Sequence, residues 1–376
     1  MFLKKTCIKF KLNMTYYHQL DPFFIHFTGN IGIRWYSMAY ILAVLFAYFA
    51  GQRLIKKNRL QLPSSKLMDI VVFGAMGAVI GGRLGYCLFY SPDLFLDFKP
   101  ISFSLFKFNI SLPFWGVLKV YQGGMASHGG IIGFLISQAL YAYRHKLSFF
   151  SLIDLGALAG AFGIFFGRIA NFINGELYGR VVEGSAWLAV RFPSEVLLWA
   201  NQPKLYKKQL LSLKEIAPSI DSMLVKVPSQ ELWVEWVNKA SLSPDSVYSS
   251  YISYICQLIF QSSYQSPFKE MLEPLLSLRY PSQLYQSFFG GLLPFALMSL
   301  VWLKPRKAGL ISLVFIISYL SFRIWTEFYR QPDYHIGFQL FDLTRGQWLS
   351  LLLYSMAGAY AYFFYKQKPK GFGLSN

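Results

Sequence analysis

The chain has 376 residues, 54% of them hydrophobic and only 14% charged, against about 25% charged in an average soluble domain. That balance excludes intrinsic disorder and an ordinary water-soluble globule. An aromatic content of 19% suits a chain crossing two membrane interfaces. The net charge of +18 points first to nucleic acid, but its distribution points elsewhere. Residues 181–278 hold 8 of the 36 Lys/Arg and 9 of the 18 Asp/Glu. The basic excess therefore belongs to the apolar parts and their short loops, where cytoplasmic positive charge and anionic lipid place it. No nucleic-acid partner is expected. Cys7, Cys87 and Cys256 show neither a pairing pattern nor a metal-ligand spacing. No metal is expected, and any thiol chemistry must come from a substrate.

Seven apolar segments follow in chain order. They run from Trp35 to Gln52, from Met68 to Tyr90, between Lys119 and Arg144, and from Leu147 to Phe172. The last three are Tyr280 to Leu303, Ala308 to Phe328 and Gly346 to Tyr365. A bilayer core takes about 20 apolar residues per helix, and backbone in lipid must satisfy its own hydrogen bonds, which dictates helices. The expected fold is an all-α membrane protein of seven transmembrane helices.

The short loops set the orientation. Arg53, Lys56, Lys57, Arg59 and Lys66 follow the first segment, Arg144 and Lys146 the third, Lys304, Arg306 and Lys307 the fifth, and Lys366, Lys368 and Lys370 the seventh. All fall on one side, the cytoplasmic one, when the N-terminus is outside. Lys4, Lys5, Lys9 and Lys11 oppose this rule; translation from Met14 instead of Met1 would remove them. No apolar run follows those lysines to make a cleavable signal.

Between the fourth and fifth segments lies a charge-balanced stretch rich in Ser, Pro and Gln. It is expected to be an extracytoplasmic head, in which Trp233 and Trp236 either pack a core or touch the membrane surface. The expected organisation is an N-terminal segment (1–34), helices one to four (35–180), the head insert (181–278), helices five to seven (279–366) and a cytoplasmic tail (367–376).

Polar residues inside spanning segments are costly and count as functional candidates. In this topology Arg83, Arg168 and Arg323 lie in the outer parts of their helices, and Tyr36, His128 and Gln283 near outer starts. Positions far apart in the chain thus converge on the outer leaflet. Arg323, Glu327 and Arg330 share one helical face at i, i+4, i+7. They form either a helix-end ion pair or a polar seam whose arginine forks bind phosphate while Glu327 holds them.

Residues 166–180 are the densest polar cluster. Arg168 and Asn171 share a face, Asn174, Gly175 and Gly179 mark a helix end that turns back, and Glu176 either serves the site or bridges to Arg180. In Gly123-Gly-Met-Ala-Ser-His-Gly-Gly130 the glycines allow backbone N–H groups to approach an anion, with Gly129 beside His128. His128 is either a general base or a structural histidine. Arg83 either binds lipid phosphate or closes a helix contact.

The motifs Ile33-Arg-Trp-Tyr36, Gly81–Tyr90, Gly123–Gly133, Gly167–Arg180, Arg279-Tyr-Pro-Ser-Gln-Leu-Tyr285 and Phe322–Asp333 resemble, in order, those of the bacterial prolipoprotein diacylglyceryl transferases. The head insert is not covered by the resemblance and looks longer than is usual there. The resemblance implies a multi-pass enzyme of the bacterial cytoplasmic (inner) membrane, with its active site toward the outer leaflet. The reaction it implies moves the diacylglyceryl group of phosphatidylglycerol onto the lipobox cysteine of a prolipoprotein signal peptide, giving a thioether and glycerol 1-phosphate, without a cofactor.

Carried over by position, Arg168 and Arg323 look like essential arginines and His128 like the histidine assigned a base role. Tyr36, Asn171, Glu176, Gly179, Glu327 and Arg330 match other important positions. Where the family commonly has His and Glu around Pro-Ser-Gln-Leu-Tyr, this chain has Tyr280 and Gln286, so neither position is expected to carry acid–base duty. A transporter is the rival from another class, but transporter sites sit near the midplane between repeated halves, and no internal repeat is visible. A metal-dependent headgroup enzyme would need a paired acidic motif, which is not seen.

Overall fold

The computed structural model describes residues 14–28, 31–105, 108–120, 123–183, 186, 188–220, 228–304, 306–331 and 339–366. The early lysines, Cys7, Pro332, Asp333 and the tail from residue 367 lie outside them. In chain order come β1 (Met14–Tyr17), β2 (Phe23–Thr28), β3 (Ile31–Arg34), α1 (Trp35–Lys56), α2 (Leu67–Phe89), β4 (Pro100–Leu105), β5 (Phe108–Pro113), α3 (Ser127–His145) and α4 (Phe149–Ile173). The head carries β6 (Leu188–Arg191), α5 (Glu195–Asn201), α6 (Lys207–Ser212), α7 (Gln230–Leu242), α8 (Val247–Ser262) and α9 (Phe268–Leu272). Then follow α10 (Ser282–Ser287), α11 (Leu293–Val301), α12 (Leu310–Thr326) and α13 (Arg345–Lys366).

Each expected apolar segment contains helix. Among the described residues, four helical runs are long and apolar enough to cross a membrane: Trp35–Lys56, Ser64–Phe89, Phe149–Ile173 and Ser282–Val301. The shorter Leu310–Thr326 is also apolar. The protein is mostly helical, but the all-α expectation needs correction, because three two-stranded sheets occur: β1 with β6, β2 with β3 and β4 with β5. Four to six residues per strand are too few for a period-two pattern to stand out beside long apolar helices.

The chain divides into two compact units. The first gathers the described residues of 1–36, 167–287 and 323–348; the second gathers those of 37–166, 288–322 and 349–376.

In the first unit, Trp199, Trp233, Ile252, Ile255 and Ile259 form a fully buried core with Leu210 and Leu213. Trp233 Nε1 donates to Leu210 O at 2.8 Å, and Trp236 is also buried, so the tryptophan pair packs a core. The N-terminal segment belongs to this core too. β1 pairs in parallel with β6, Met14 opposite Leu188 through Tyr17 opposite Arg191. Tyr17 Oη donates to Ser263 O at 2.9 Å.

In the second unit α2 and α3 meet along glycines. A Cβ on Gly81 would lie 2.4 Å from Gly129 O, and one on Gly133 would lie 2.2 Å from Gly77 O. Small residues at four-residue spacing let two backbones approach this closely, which in lipid supplies the packing attraction. In α4, Asp154 accepts from Gly309 N at 2.7 Å and from Ser312 N and Oγ at 2.8 and 2.7 Å. It thereby satisfies free N–H groups at the start of α12. Between α10 and α11 a π-turn at Phe288–Leu292 precedes Pro294, whose missing N–H and ring cannot be held in a regular helix.

Candidate active site

α4 ends at Ile173 because Gly175 turns left-handed, with φ of +63°. The Gly175 N–H returns to Phe172 O at 2.9 Å and Glu176 N to Asn171 O at 3.1 Å. Folding the chain back brings Glu176 over the last turn of the helix. Tyr36 Oη donates to Glu176 Oε1. Asn171 Nδ2 donates to Tyr36 Oη and, at 3.1 Å, to Glu176 Oε1. Arg168 Nη1 reaches Asn171 Oδ1 at 3.4 Å. Of the two sequence readings of Glu176, the structure therefore realises the partnership with Tyr36 and Asn171. Arg180 directs its Nε to Arg330 O at 2.9 Å.

The end of α12 carries the second half. Glu327 is 2% exposed. Its carboxylate lies 3.9 Å from Arg323 Nη2 and 3.3 Å from Arg330 Nη1. Both arginines are themselves partly exposed. The expected helical face needs correction: α12 ends at Thr326, and Glu327 N still bonds Arg323 O at 3.1 Å, but Arg330 N turns back to Glu327 O at 3.2 Å. The ion pairs thus gather around the buried carboxylate at a helix end, with one net positive charge in the cluster. Thr344 Oγ1 donates to Glu327 Oε1 at 3.2 Å, and a Cβ on Gly346 would lie 2.7 Å from that oxygen. Sequence reasoning missed Thr344 and Gly346. A signal existed: Thr344 and Gln347 form a reciprocal capping box, with Thr344 N bonded to Gln347 Oε1 at 2.9 Å and Gln347 N to Thr344 Oγ1 at 3.3 Å.

Backbone bonds join these halves. Gly179 pairs with Arg330 in an antiparallel bridge, Gly179 N donates to Tyr280 O at 2.9 Å, and Arg180 N to Tyr329 O at 3.0 Å. A Cβ on Gly179 would lie 2.4 Å from Tyr329 O and 2.6 Å from Tyr280 O, so only glycine fits between the two strands. From the start of α10, buried Gln283 donates to Glu176 O at 2.6 Å. Asn174 Oδ1 and Gln283 Oε1 are buried acceptors that find no hydrogen bond among the described residues. Tyr36, Arg168, Asn171, Asn174, Glu176, Gly179, Arg323, Glu327 and Arg330 thus all belong to one unit.

Arg83, His128 and Gly129 belong to the other. Arg83 is buried and gives its guanidinium to five backbone carbonyls, those of Val117, Gly123, Gly124, Gly116 and Lys119, at 2.6–3.3 Å. Of its two readings, the geometry is that of a structural staple and not of a free phosphate ligand. The same loop delays α3, expected from about Lys119, until Ser127. Gly123 and Gly124 take φ of +85° and +83°, and their carbonyls accept from Arg83 Nη1 at 2.6 and 3.0 Å. Gly129 lies at the α2–α3 crossing, where a Cβ would stand 2.3 Å from Gly81 O. His128 is exposed on the first turn of α3.

Comparison with known proteins bears on this arrangement. The family model for prolipoprotein diacylglyceryl transferase matches residues 22–364. The chain belongs to that family. It is similar to the phosphatidylglycerol–prolipoprotein diacylglyceryl transferase of Bdellovibrio bacteriovorus, 41% identical over 340 residues that cover 90% of each chain. The proteins of the same name from Rickettsia bellii and Neisseria gonorrhoeae are 32% and 31% identical. Those matches cover 86% and 90% of this chain and 88% and 93% of the relatives. The match runs through the first unit's clustered residues and the second unit's glycine crossing alike, so the family's span includes both.

Proposed function

We propose that this protein transfers the diacylglyceryl group of phosphatidylglycerol to the lipobox cysteine thiol of a prolipoprotein, the first step of bacterial lipoprotein maturation. The observation carrying this reading is the Arg323–Glu327–Arg330 cluster, stitched through Gly179 to the Arg168–Asn171–Tyr36–Glu176 network, in a chain of this family. The substrate is an anionic phosphodiester, and the cluster offers fixed guanidinium donors with a net positive charge.

In the proposed reaction the cysteine sulfur attacks the glyceryl carbon that bears the phosphate. The C–S bond forms as the C–O bond breaks, and the bonding pair leaves on the phosphate oxygen as glycerol 1-phosphate. The departing group gains charge, so preorganised donors favour the transition state over the ground state; losing one such donor typically costs about 10²–10³ in rate. Arg168 and Arg323 are assigned that role. Glu327 and Asn171 fix their orientation, and Asn174 Oδ1, a buried acceptor, suits a glycerol hydroxyl. A thiol of pKa about 8.5 needs a base to become a competent nucleophile. His128 is the proposed acceptor of its proton. Arg83 is assigned to the loop before His128 and not to lipid.

The same reading includes seven spans with the N-terminus outside, the head extracytoplasmic and the site toward the outer leaflet of the inner membrane. Its support is the positive-inside pattern of the four loop sets.

The test combines purified protein, phosphatidylglycerol and a synthetic lipobox peptide, with mass spectrometry of the peptide and a glycerol-phosphate assay. The expected result is one diacylglyceryl group per peptide with stoichiometric glycerol phosphate. A Cys→Ser peptide, phosphatidylethanolamine as donor, and the Arg168→Ala and Arg323→Ala enzymes should give no product. Folded, lipid-replete protein that modifies no peptide would overturn the proposal.

A further inference from the structure

The head insert shares a buried ion pair with the strands that carry the candidate site. Arg279 and Glu195 are each 1% exposed, and Arg279 Nη2 lies 2.6 Å from Glu195 Oε1. Glu195 opens α5 inside the head, and its other oxygen accepts from Ser277 N at 3.0 Å. Arg279 is not spent on that pair alone. Its Nη1 donates to Gly179 O at 3.2 Å and to Gln331 Oε1 at 2.8 Å. Its guanidinium carbon lies 4.9 Å from the centre of the Tyr178 ring. Its backbone pairs with Val190 in both directions at 2.9 Å.

Gly179 and Gln331 are the two positions that frame Arg330. Gly179 is bridged to Arg330, and Gln331 follows it in the chain. One planar guanidinium therefore grips the return strand from α4 and the strand leaving α12 together. Arginine is suited to this because its donors form a rigid fork, whereas lysine offers a point charge that cannot hold three directions in one plane. A cation this deeply buried must be neutralised to stay, and the neutralising carboxylate comes from the head.

We propose that Arg279 is a positioning residue for the candidate site, setting Arg330 and Gly179 in place, and that the head insert supplies through Glu195 the counter-charge this requires. The inference rests on the proposed transferase reading. It gives the insert a part in forming the site, independent of any contact between the head and the prolipoprotein.

The experiment uses the full-length enzyme in phosphatidylglycerol-containing micelles, with kcat, KM for lipid and thermal unfolding measured for each variant. Wild-type activity is the gate: its absence refutes the transferase reading, and the positioning role falls with it. With wild type active, Arg279→Lys keeps the charge beside Glu195 but loses the fork, and kcat should fall at least tenfold with KM changed less than threefold. Gln331→Leu removes one arm of the grip and leaves the ion pair intact, so its fold does not depend on that pair. It should lower kcat at least threefold at unchanged unfolding temperature, and Gln331→Glu, which keeps an acceptor, should restore it. In an Arg330→Lys background, Gln331→Leu should have little further effect. Wild-type kcat in Gln331→Leu, or equal losses in the presence and absence of Arg330, would overturn the proposal whether or not Arg279→Lys folds.

Discussion

Replacing Glu327 by glutamine tests the centre of the site with almost no change in shape. The carboxylate is 2% exposed and faces Arg330 Nη1 at 3.3 Å and Arg323 Nη2 at 3.9 Å. With an effective dielectric of about 20, those separations correspond to gross attractions of about 5 and about 4 kcal/mol. Both arginines are partly exposed, so solvent screening reduces these figures. Removing one partner of a buried pair typically costs about 3–5 kcal/mol. Glutamine would also turn its amide donor toward one of the two arginines, since Arg323 faces Oε2 while Arg330 and Thr344 Oγ1 face Oε1. The two guanidinium groups should then repel and swing out of register, costing about 10²-fold in rate for a displacement near 1 Å. The assay is peptide lipidation at saturating phosphatidylglycerol, with thermal unfolding in the same micelles. Glu327→Asp, which keeps the charge on a shorter arm, should lose less than Glu327→Gln in both measurements. A Glu327→Gln enzyme with a third or more of wild-type kcat and an unchanged unfolding temperature would refute the view that this carboxylate holds the arginines.

Three further outcomes follow from the geometry. Gly179→Ala places a methyl 2.4 Å from Tyr329 O and 2.6 Å from Tyr280 O; the strand pair must open, and lipidation should fall by about 10²-fold even if the head keeps its tryptophan fluorescence. Arg83→Lys offers at most three donors to five carbonyls. Each carbonyl left dry costs about 1–3 kcal/mol, so limited proteolysis should cut residues 116–126 faster than in wild type. His18 is 1% exposed, bonds Phe172 O at 2.7 Å, and has its pKa lowered by burial, against the partial opposition of that bond. A histidine with a depressed folded-state pKa contributes stability above its unfolded pKa of about 6.5, and that contribution is lost as pH falls toward the folded value. The unfolding temperature should therefore drop between pH 7 and pH 5, and His18→Gln, which keeps a donor but does not titrate, should flatten the drop.

Local pattern in the chain accounts for about half of what the fold contains. Each apolar run falls on helix with bounds within a few residues, except at α3. Among the described residues four helical runs are long and apolar enough to cross a membrane, where backbone has almost no alternative to a helix. The period of that helix placed Glu327 one turn beyond Arg323, and Arg168 beside Asn171, whereas Arg330 reaches Glu327 only because the chain turns out of α12 into the bridge with Gly179. What periodicity cannot report is which distant chain segments meet. Tyr36 joins Asn171 and Glu176 across more than a hundred residues, Thr344 completes the shell of Glu327, and the N-terminal strand pairs with β6 inside the head. The roles of Arg83 and Gly129 were likewise undetermined by sequence, since an arginine near a helix end looks the same whether its fork meets a lipid phosphate or five carbonyls. Arg279 shows the limit most plainly. Its sequence neighbours form a recognisable motif, yet only tertiary packing brings Glu195, Gly179 and Gln331 to its guanidinium. Burial decides its task, because a charge removed from water must find its partners wherever the fold puts them.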